Sequence, residues 1–388
     1  MSDFFEESIR LHEQLKGKIE MNNKIAVNTT TDLSLVYSPG VAGPCLDIKK
    51  HPEKVYDLTI KSNTVAIVSD GSAVLGLGNI GAHAAIPVME GKAMLFKKFA
   101  GIDAFPICLN THDTEEIIQT IKNIAPVFGG INLEDISAPR CFEIEDRLQN
   151  IGIPVFHDDQ HGTAIVALAG IINACKVTGK ELSDLNVVIN GAGAAGIAIA
   201  KILRCINQNP DMCSPVKNIT VCDSKGIISD DREDLTPVKK ELLTFSNYNK
   251  IKGTLQDALK GADVFIGVSK GNILSGSDIR LMANDPIIFA LANPIPEISP
   301  EKAKEAGAAV VATGRSDYPN QVNNVLVFPG IFQAALEIRA PQITSRMKLA
   351  AALAIAGLIE NPTTDLVIIS SLGPHVVEKV SQAVKKQQ

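Results

Sequence analysis

The sequence predicts a two-domain α/β protein in which each domain is built on a parallel sheet. Three observations predict this fold class. The chain has 388 residues, more than one ordinary core accommodates. Short aliphatic segments alternate with longer amphipathic ones from Val65 to Ala169, and a second alternating series begins at Asn186. Such an alternation implies right-handed crossovers, which make neighbouring strands parallel.

The composition is that of a folded protein and argues against several partners. Hydrophobic residues make up 45% of the chain and charged residues 21%, and there is no Trp, so the core is expected to be aliphatic. A net charge of −6 without a basic stripe argues against nucleic acid. We find no apolar run of membrane-spanning length and no secretory signal at the acidic N-terminus, so we expect a cytoplasmic protein without a membrane partner.

The cysteines predict a reducing compartment. Seven are present, they form no C-x-x-C pair, and most lie within apolar segments. We therefore expect all seven to be free thiols.

The first domain is expected to span residues 1–160. It starts with a helix from Glu6 to Lys16 and a Pro/Gly-rich turn around Tyr37. Four strand and helix units follow. Their strands are predicted at Val65–Ser69, Ala104–Leu109, Ile131–Leu133 and Val155–Phe156.

Pairs of acidic residues follow the third and fourth of these strands. Glu134 and Asp135 end one, and Asp158 and Asp159 end the other, so parallel strands would bring all four to one sheet edge. Consecutive side chains on a strand point to opposite faces, so each pair can share an ion only where strand geometry has ended. We expect Glu134, Asp135 and one later acid to bind Mg²⁺ or Mn²⁺, with the fourth acid orienting a neighbour. Taken singly, Asp135 or Asp159 would be a helix cap or a first-turn charge.

The same segment imitates a zinc motif. His157 and His161 are four residues apart, as in H-E-x-x-H, but Asp replaces the Glu and a strand end interrupts the helix that the motif requires. A zinc protease is therefore rejected.

Two side chains are candidates for proton transfer. Lys92 lies in a predicted helix among apolar neighbours, and burial beside a divalent cation would disfavour its ammonium form. We therefore expect Lys92 to accept a proton near neutral pH; the alternative is a lysine whose amine reaches solvent past an apolar face. Tyr37 is a candidate proton donor or, alternatively, a packed residue at the rim.

The second domain is expected to span residues 161–388, and its first strand leads into a G-x-G-x-x-G match. The residues of this match are Gly191, Ala192, Gly193, Ala194, Ala195 and Gly196. The context predicts a Rossmann-type turn whose backbone N–H groups hold a dinucleotide pyrophosphate. Asp223 ends the next strand and is expected to bind the adenosine ribose. This acid favours NAD weakly over NADP, although Ser224 and Lys225 could receive a 2′-phosphate.

A second match, Gly76 to Gly81, lacks a comparable preceding strand. The acid downstream of it, Asp103, precedes a strand instead of ending one. We interpret this stretch as a tight loop at the rim of the active site.

Together these stretches resemble the malic enzyme family in its short bacterial form. The matching stretches are Tyr37–Ala42, Gly76–Gly81 with Lys92, Glu134-Asp135, Phe156–Ala164, Gly191–Gly196, Ala290–Pro294, and Asn323-Asn324 before Val327–Gly330. The resemblance implies oxidative decarboxylation of malate to pyruvate and CO₂ with NAD(P)⁺ and Mn²⁺ or Mg²⁺, in a homodimer.

The resemblance also implies a role for each matching residue. Tyr37 looks like the general acid and Lys92 like the general base. Glu134, Asp135 and Asp159 look like the metal ligands, with Asp158 as the fourth acid of the catalytic group, which orients a neighbouring side chain. Asn293 and Asn324 look like substrate contacts, and Asn293 also belongs to the expected cofactor site.

The sequence departs from the family at Ala73. Larger members carry an arginine for the substrate carboxylate in the stretch D-G-x-R-x-L-G-L-G, which here runs from Asp70 to Gly78 and includes Leu75. Backbone N–H groups of this loop, the asparagines or a neighbouring subunit could replace it. Two other functions stay open: a malolactic-type enzyme that releases lactate, and a non-catalytic nucleotide-binding regulator. The presence of Lys92 and the acids counts against the regulator.

Overall fold

A computed structural model of the chain describes residues 2–74, 76–208 and 213–388, so Leu75 lies outside the described residues. The strands are β1 (Thr64–Ser69), β2 (Asp103–Cys108), β3 (Gly130–Leu133), β4 (Val155–His157), β5 (Asn186–Asn190), β6 (Asn218–Asp223), β7 (Gly226–Ile227), β8 (Val264–Gly267), β9 (Ile287–Ala290) and β10 (Val310–Thr313). The helices are α1 (Ser2–Leu15), α2 (Thr30–Val36), α3 (Ala42–Lys50), α4 (Val55–Leu58), α5 (Gly81–Ala100), α6 (Thr114–Ile124), α7 (Arg140–Leu148), α8 (Asp158–Thr178), α9 (Ala194–Leu203), α10 (Pro237–Leu242), α11 (Leu255–Leu259), α12 (Gly276–Ile279), α13 (Pro300–Glu305), α14 (Phe328–Glu337), α15 (Ser345–Ala356) and α16 (Val376–Lys385).

The structure confirms the two predicted α/β sheets. The first has the order β2-β1-β3-β4 and is parallel throughout. The second has the order β10-β9-β8-β5-β6-β7 and is parallel except for β7, a two-residue strand that pairs antiparallel with β6 and that the sequence did not predict. Since β1, β3 and β4 are neighbours, the residues that follow them reach one edge of the first sheet.

The long helix α8 joins the two domains. It begins at Asp158, so both Asp158 and Asp159 lie in its first turn. Among the described helices, α8 is long and apolar enough to span a membrane by length and composition, contrary to the expectation that no run is long enough. Most of it is nevertheless buried in the protein, in a core cluster that also contains Val65 of the first sheet and Ile189 of the second. A helix that is apolar on all sides is typical of such a position.

The expectation of seven free thiols is wrong for one pair. Cys205 and Cys213 form a disulfide, with their Cα atoms 5.8 Å apart. Cys205 follows α9 and adopts a positive φ of 55°. The free cysteines are Cys45, Cys108, Cys141, Cys175 and Cys222.

Candidate active site

Three carboxylates converge at the edge of the first sheet. Glu134, Asp135 and Asp159 each present an oxygen, and these oxygens lie within 4.8 Å of one another. Asp135 has a φ of 54°, so the chain has left strand geometry there, as a shared ion requires. Asp159 reaches the same place from the first turn of α8. Three hard oxygen donors at this separation suit Mg²⁺ or Mn²⁺.

Two contacts hold Asp159 in its charged form. The Asp135 N–H donates to Asp159 Oδ2 at 2.7 Å, and His157 Nε2 lies 3.3 Å from the same oxygen. Burial alone would raise the pKa of Asp159, but these contacts lower it below its ordinary value. Burial followed by the repulsion of Asp159 raises the pKa of Asp135 to about 9. A divalent cation would relieve this repulsion, so the donor set fits a metal.

Lys92 lies between two of the acids and is 6% exposed. Its Nζ bonds the Asp158 carboxylate, lies 2.6 Å from Glu134 Oε2, and is 4.4 Å from the centre of the Phe328 ring. Burial acts to lower the pKa of Lys92, but Asp158 and Glu134 outweigh it and raise that pKa above its ordinary value. In the absence of a cation the two carboxylates therefore favour the ammonium form of Lys92, and its role as a proton acceptor beside a divalent cation stays a prediction. A dication that takes up the charge of Glu134 would weaken that preference.

Asp158 pairs with Lys92 and lies near Asn324, which is predicted to contact the substrate. Its side chain is fully buried, and burial raises its pKa to about 6 despite the ion pair with Lys92. Within the described part of the chain, Asp158 Oδ1 has no hydrogen-bond partner. A Cβ on Gly162 would clash with this carboxylate and lie 2.9 Å from the Asn324 Cβ, so Asn324 packs beside Asp158.

The glycine-rich stretch from Gly76 to Gly81 belongs to the rim loop that the sequence predicts. The Ala73 N–H donates to the Asp135 carbonyl at 2.9 Å, which fixes the loop over the carboxylates. A Cβ on Gly76, whose φ is 74°, would lie 2.5 Å from the Asn293 carbonyl oxygen. The loop therefore brings Asn293 of the second domain to the edge of the first sheet.

A guanidinium that the sequence analysis missed lies at the same loop. Arg140 Nη2 donates to Asp70 Oδ2 at 2.7 Å and to Ser72 Oγ at 3.0 Å. Positive charge is thus present next to position 73, although Ala73 itself cannot supply it. No local pattern indicated this contact, because Arg140 comes from the start of α7, far along the chain from Asp70.

The sequence analysis also missed Glu145, a buried acid on α7. Its carboxylate accepts the His157 N–H at 3.1 Å and the Gln160 Nε2 at 2.9 Å, and His161 Nε2 lies 2.9 Å from it. Burial alone would raise the pKa of Glu145, but the contacts with His161 outweigh it and lower that pKa to about 2. Glu145 therefore fixes the segment that carries Asp158 and Asp159. Its place on the buried stripe of α7 was the available signal.

The two histidines do not form a zinc pair. His157 is the last residue of β4, before α8 begins, and points at Asp159. His161 lies on α8 and pairs with Glu145. The rejection of the H-E-x-x-H interpretation agrees with this geometry.

Tyr37 lies apart from the other predicted residues. It follows α2 and is 68% exposed. Within the described residues, no side-chain hydrogen bond joins it to Lys92 or to the carboxylates. This chain by itself therefore does not bring Tyr37 into the cluster.

The glycine-rich stretch from Gly191 to Gly196 forms a turn between β5 and α9. Gly191 has a φ of 128°, and a Cβ there would lie 2.7 Å from the Val268 carbonyl oxygen. A Cβ on Gly196 would clash with the Gly191 carbonyl, whereas one on Gly193 would meet no atom within 4 Å. The turn is therefore closed on the protein side and open at the start of α9, where free N–H groups can hold a pyrophosphate.

Asp223 ends β6 next to this turn, as predicted, but it is not a free acceptor. Arg232 and Lys239 form ion pairs with its two oxygens at 2.8 and 2.6 Å. Burial would raise the pKa of Asp223, but these two cations lower it to about 2.

Comparison with known proteins gives consistent matches along both domains. Residues 16–149 match the family model of the malic enzyme N-terminal domain, and residues 160–386 match that of the malic enzyme NAD-binding domain. The chain is 60% identical over 371 residues to an NAD-dependent malic enzyme of Geobacillus stearothermophilus, covering 95% of this chain and 76% of that protein. It is 55% identical over 385 residues to a bifunctional malic/malolactic enzyme of Bacillus subtilis, covering 98% and 92%. A crystal structure of NAD-dependent malic enzyme from Thermotoga maritima has a TM-score of 0.92 at 50% identity, covering 97% of this chain and 98% of that one.

Proposed function

The chain belongs to the malic enzyme family, and from this we propose that it oxidatively decarboxylates (S)-malate to pyruvate and CO₂ with reduction of NAD⁺ or NADP⁺. The observation that carries the proposal is the placement of Lys92. Its buried amine contacts Asp158 and Glu134, and Glu134 is one of the three convergent carboxylates. The reaction needs a proton acceptor and an electrophilic cation at adjacent positions, and this edge offers both places.

Glu134, Asp135 and Asp159 are the residues proposed to hold the metal. A bound Mn²⁺ or Mg²⁺ supplies Lewis acidity that polarises the substrate oxygen. Lys92 would accept the proton of the C2 hydroxyl, and a bound nicotinamide would supply the acceptor for the hydride. Asp158 orients Lys92 through their ion pair, and Asn324 positions the substrate next to Asp158. Asn293 and the turn from Gly191 to Gly196 bind the cofactor.

Tyr37 is proposed as the acid that protonates the enolate left by the departure of CO₂, delivered by a second copy of the chain. The N-terminal residues expose many large apolar side chains, which in a folded protein favour association. Among them are Phe4, Phe5, Leu33, Leu35 and Leu46. We therefore propose a homodimer in which these residues are covered and Tyr37 enters the partner's site.

Mixing two inactive variants tests this arrangement. Tyr37→Phe and Lys92→Ala homodimers are each expected to be inactive. If Tyr37 serves the partner's site, a mixed dimer contains one intact site, so activity reappears after subunit exchange. Absence of recovery from verified mixed dimers would place Tyr37 in its own subunit's site, and a monomer in light scattering would exclude the dimer.

The main assay measures absorbance of reduced nicotinamide during malate turnover. Purified protein with malate, NAD⁺ or NADP⁺ and Mn²⁺ is expected to give rising absorbance and stoichiometric pyruvate, and a chelator is expected to abolish both. Full activity without divalent cations would overturn the metal assignment.

A malolactic reaction is the second candidate, favoured by the relative named as a bifunctional malic/malolactic enzyme. In that reaction the hydride returns to the product, so malate would disappear with lactate formed and no net change in reduced cofactor. Measuring lactate and pyruvate together separates the two reactions.

We also propose that the protein is cytoplasmic and that the boundary between its two domains lies between residues 160 and 161. Five free cysteines support a reducing compartment, whereas the Cys205–Cys213 disulfide weighs against it. Thiol titration of protein purified under anaerobic conditions measures which state the cell maintains.

A further inference from the structure

Two neighbouring strands of the second sheet end beside Asn293, the predicted substrate contact. β8 and β9 are parallel, with Gly267 opposite Ala290, so the segments that follow them leave the same edge of the sheet. Asn293 lies in the segment after β9, and a Cβ on Gly314 would clash with its Nδ2 atom. The Asn293 side chain is therefore closely packed, and its position depends on how the segment after β9 is held.

A buried carboxylate, that of Glu297, joins the two segments. Its Oε2 atom accepts the N–H of Ala292, the residue before Asn293, at 3.0 Å. Its Oε1 atom accepts the Ser269 N–H, in the segment after β8, at 3.4 Å. Glu297 is completely buried, and a Cβ on Gly267 would clash with its carboxyl group. The carboxylate is thus enclosed between the end of β8 and the segment that carries Asn293.

The Glu297 carboxylate has no cationic partner. Within the described residues, backbone N–H groups are its only hydrogen-bond donors, and no Lys, Arg or His side chain pairs with it. Burial raises the pKa of Glu297 above its ordinary value, against the effect of these N–H groups. A buried carboxylate is costly, and an apolar side chain would fill the same space at lower cost. What the carboxylate adds is two acceptor oxygens, which hold two backbone segments at a fixed separation.

A second connection leads from Ser269 toward the turn that is proposed to hold the pyrophosphate. Asn190 Nδ2 donates to Ser269 Oγ at 2.7 Å, and the Val268 N–H donates to the Asn190 carbonyl at 2.9 Å. Asn190 is the last residue of β5, directly before Gly191. Loss of the Glu297 carboxylate would therefore be felt along two paths, one to Asn293 and one to this turn.

We propose that Glu297 is a positioning residue, which fixes Asn293 for its contact with substrate and cofactor by holding Ala292 against the segment after β8. The inference rests on the proposed function, because that function supplies the contact made by Asn293. Glu297 itself is enclosed beneath the two segments, so it reaches neither ligand. Its effect is transmitted through Asn293 and not through Ser269.

A double-mutant cycle with Asn293 tests the proposal, with cofactor affinity measured by calorimetry in the absence of malate and metal. Glu297→Gln keeps the shape of the side chain but replaces one acceptor oxygen by an NH₂ donor, so one of the two N–H bonds is lost. Affinity for NAD⁺ or NADP⁺, whichever the wild type binds more tightly, is expected to fall by about tenfold. Asn293→Ala is expected to lower it by a similar factor, and the double variant should bind no more weakly than Asn293→Ala alone.

Two results would overturn the proposal. Unchanged cofactor affinity in Glu297→Gln would show that the carboxylate positions nothing at this site. Losses that multiply in the double variant would show that Glu297 acts through Ser269 instead of Asn293. Turnover of malate by the wild type is measured separately, so a failure of the proposed function appears as wild-type protein that binds cofactor and leaves malate unchanged.

Two further variants separate positioning from general damage. Glu301→Gln changes an exposed acid in the first turn of α13, so it is the matched control and should bind cofactor as the wild type does. If Glu297→Gln fails to fold, Glu297→Asp enters the same cycle, since it keeps the charge but its shorter side chain cannot reach both N–H groups. Its cofactor affinity is expected to fall by about threefold, with no additional loss in the Asn293→Ala background.

Discussion

The two sheet edges of this molecule are built from the same residue types but carry opposite excess charge. At the first edge, two carboxylates pair with the ammonium of Lys92, and two more, Asp135 and Asp159, lie beside Glu134. At the second edge, three cations share the carboxylates of Asp223 and Asp234. The excess of carboxylates at the first edge favours a divalent cation, whereas the carboxylates at the second edge are already paired with cations of the protein.

This difference shows that an aspartate at a strand end does not by itself identify a ligand. Asp159 follows a parallel strand and Asp223 ends one, and hydrogen-bonding neighbours lower the pKa of each. Asp159 is held by a backbone N–H and His157 and still shares its site with other acids. Asp223 is held by two full cations, so its charge is neutralised.

Lys92→Ala would produce the largest effect and tests whether the two edges are independent. Removing the proton acceptor is expected to lower kcat by about 10²–10⁴-fold, while cofactor affinity persists because Lys92 belongs to the first edge only. Stopped assays and calorimetry measure the two quantities. Lys97→Ala, an exposed lysine of the same helix, should behave as wild type. Parallel loss of turnover and cofactor binding would contradict the assigned role.

Asp159→Asn tests the excess of negative charge at the first edge. Loss of an outer partner of a metal ligand costs about 10–100-fold in metal affinity, so loss of a ligand should cost more than about 100-fold. Mn²⁺ titration followed by electron paramagnetic resonance measures the metal affinity. Asp146→Asn, an exposed acid of α7, is the matched control. An unaltered titration would exclude Asp159 as a ligand.

Glu145→Gln should lower the affinity for Mn²⁺ less than Asp159→Asn does. The amide cannot accept from the His157 N–H, Gln160 and His161 together, so the start of α8 shifts. Mn²⁺ affinity is expected to fall by about 10–100-fold. Glu143→Gln changes an exposed acid on the same helix, and NADP⁺ affinity reports on general damage. If cofactor and metal affinities fell together, Glu145 would be structural only.

The sequence predicted those features that depend on local pattern. Strand and helix alternation gave both parallel sheets, and the acids at strand ends indicated Glu134, Asp135 and Asp159 as a group. The glycine spacing from Gly191 identified the turn before α9, because a tight turn and close backbone approach need those residues in that order.

What the sequence did not predict depends on side chains from separate segments. Arg232 reaches Asp223 from a loop and Lys239 reaches it from α10, and no periodicity specifies either contact. Cys205 and Cys213 are eight residues apart, outside any C-x-x-C spacing, so no local motif indicated their pairing. Glu145 was detectable in principle, since an acid on an apolar helix stripe needs partners. Which partners it finds depends on packing.

The position of α8 has a thermodynamic consequence. Its first turn supplies Asp159, and its buried length belongs to a core that both sheets share. The two halves of the chain should therefore melt in a single calorimetric transition. Mn²⁺ at a hundred times its Kd should stabilise that whole transition by about 2.7 kcal/mol, including strands far from the ion. Two separate endotherms, with one insensitive to Mn²⁺, would show that the halves unfold independently.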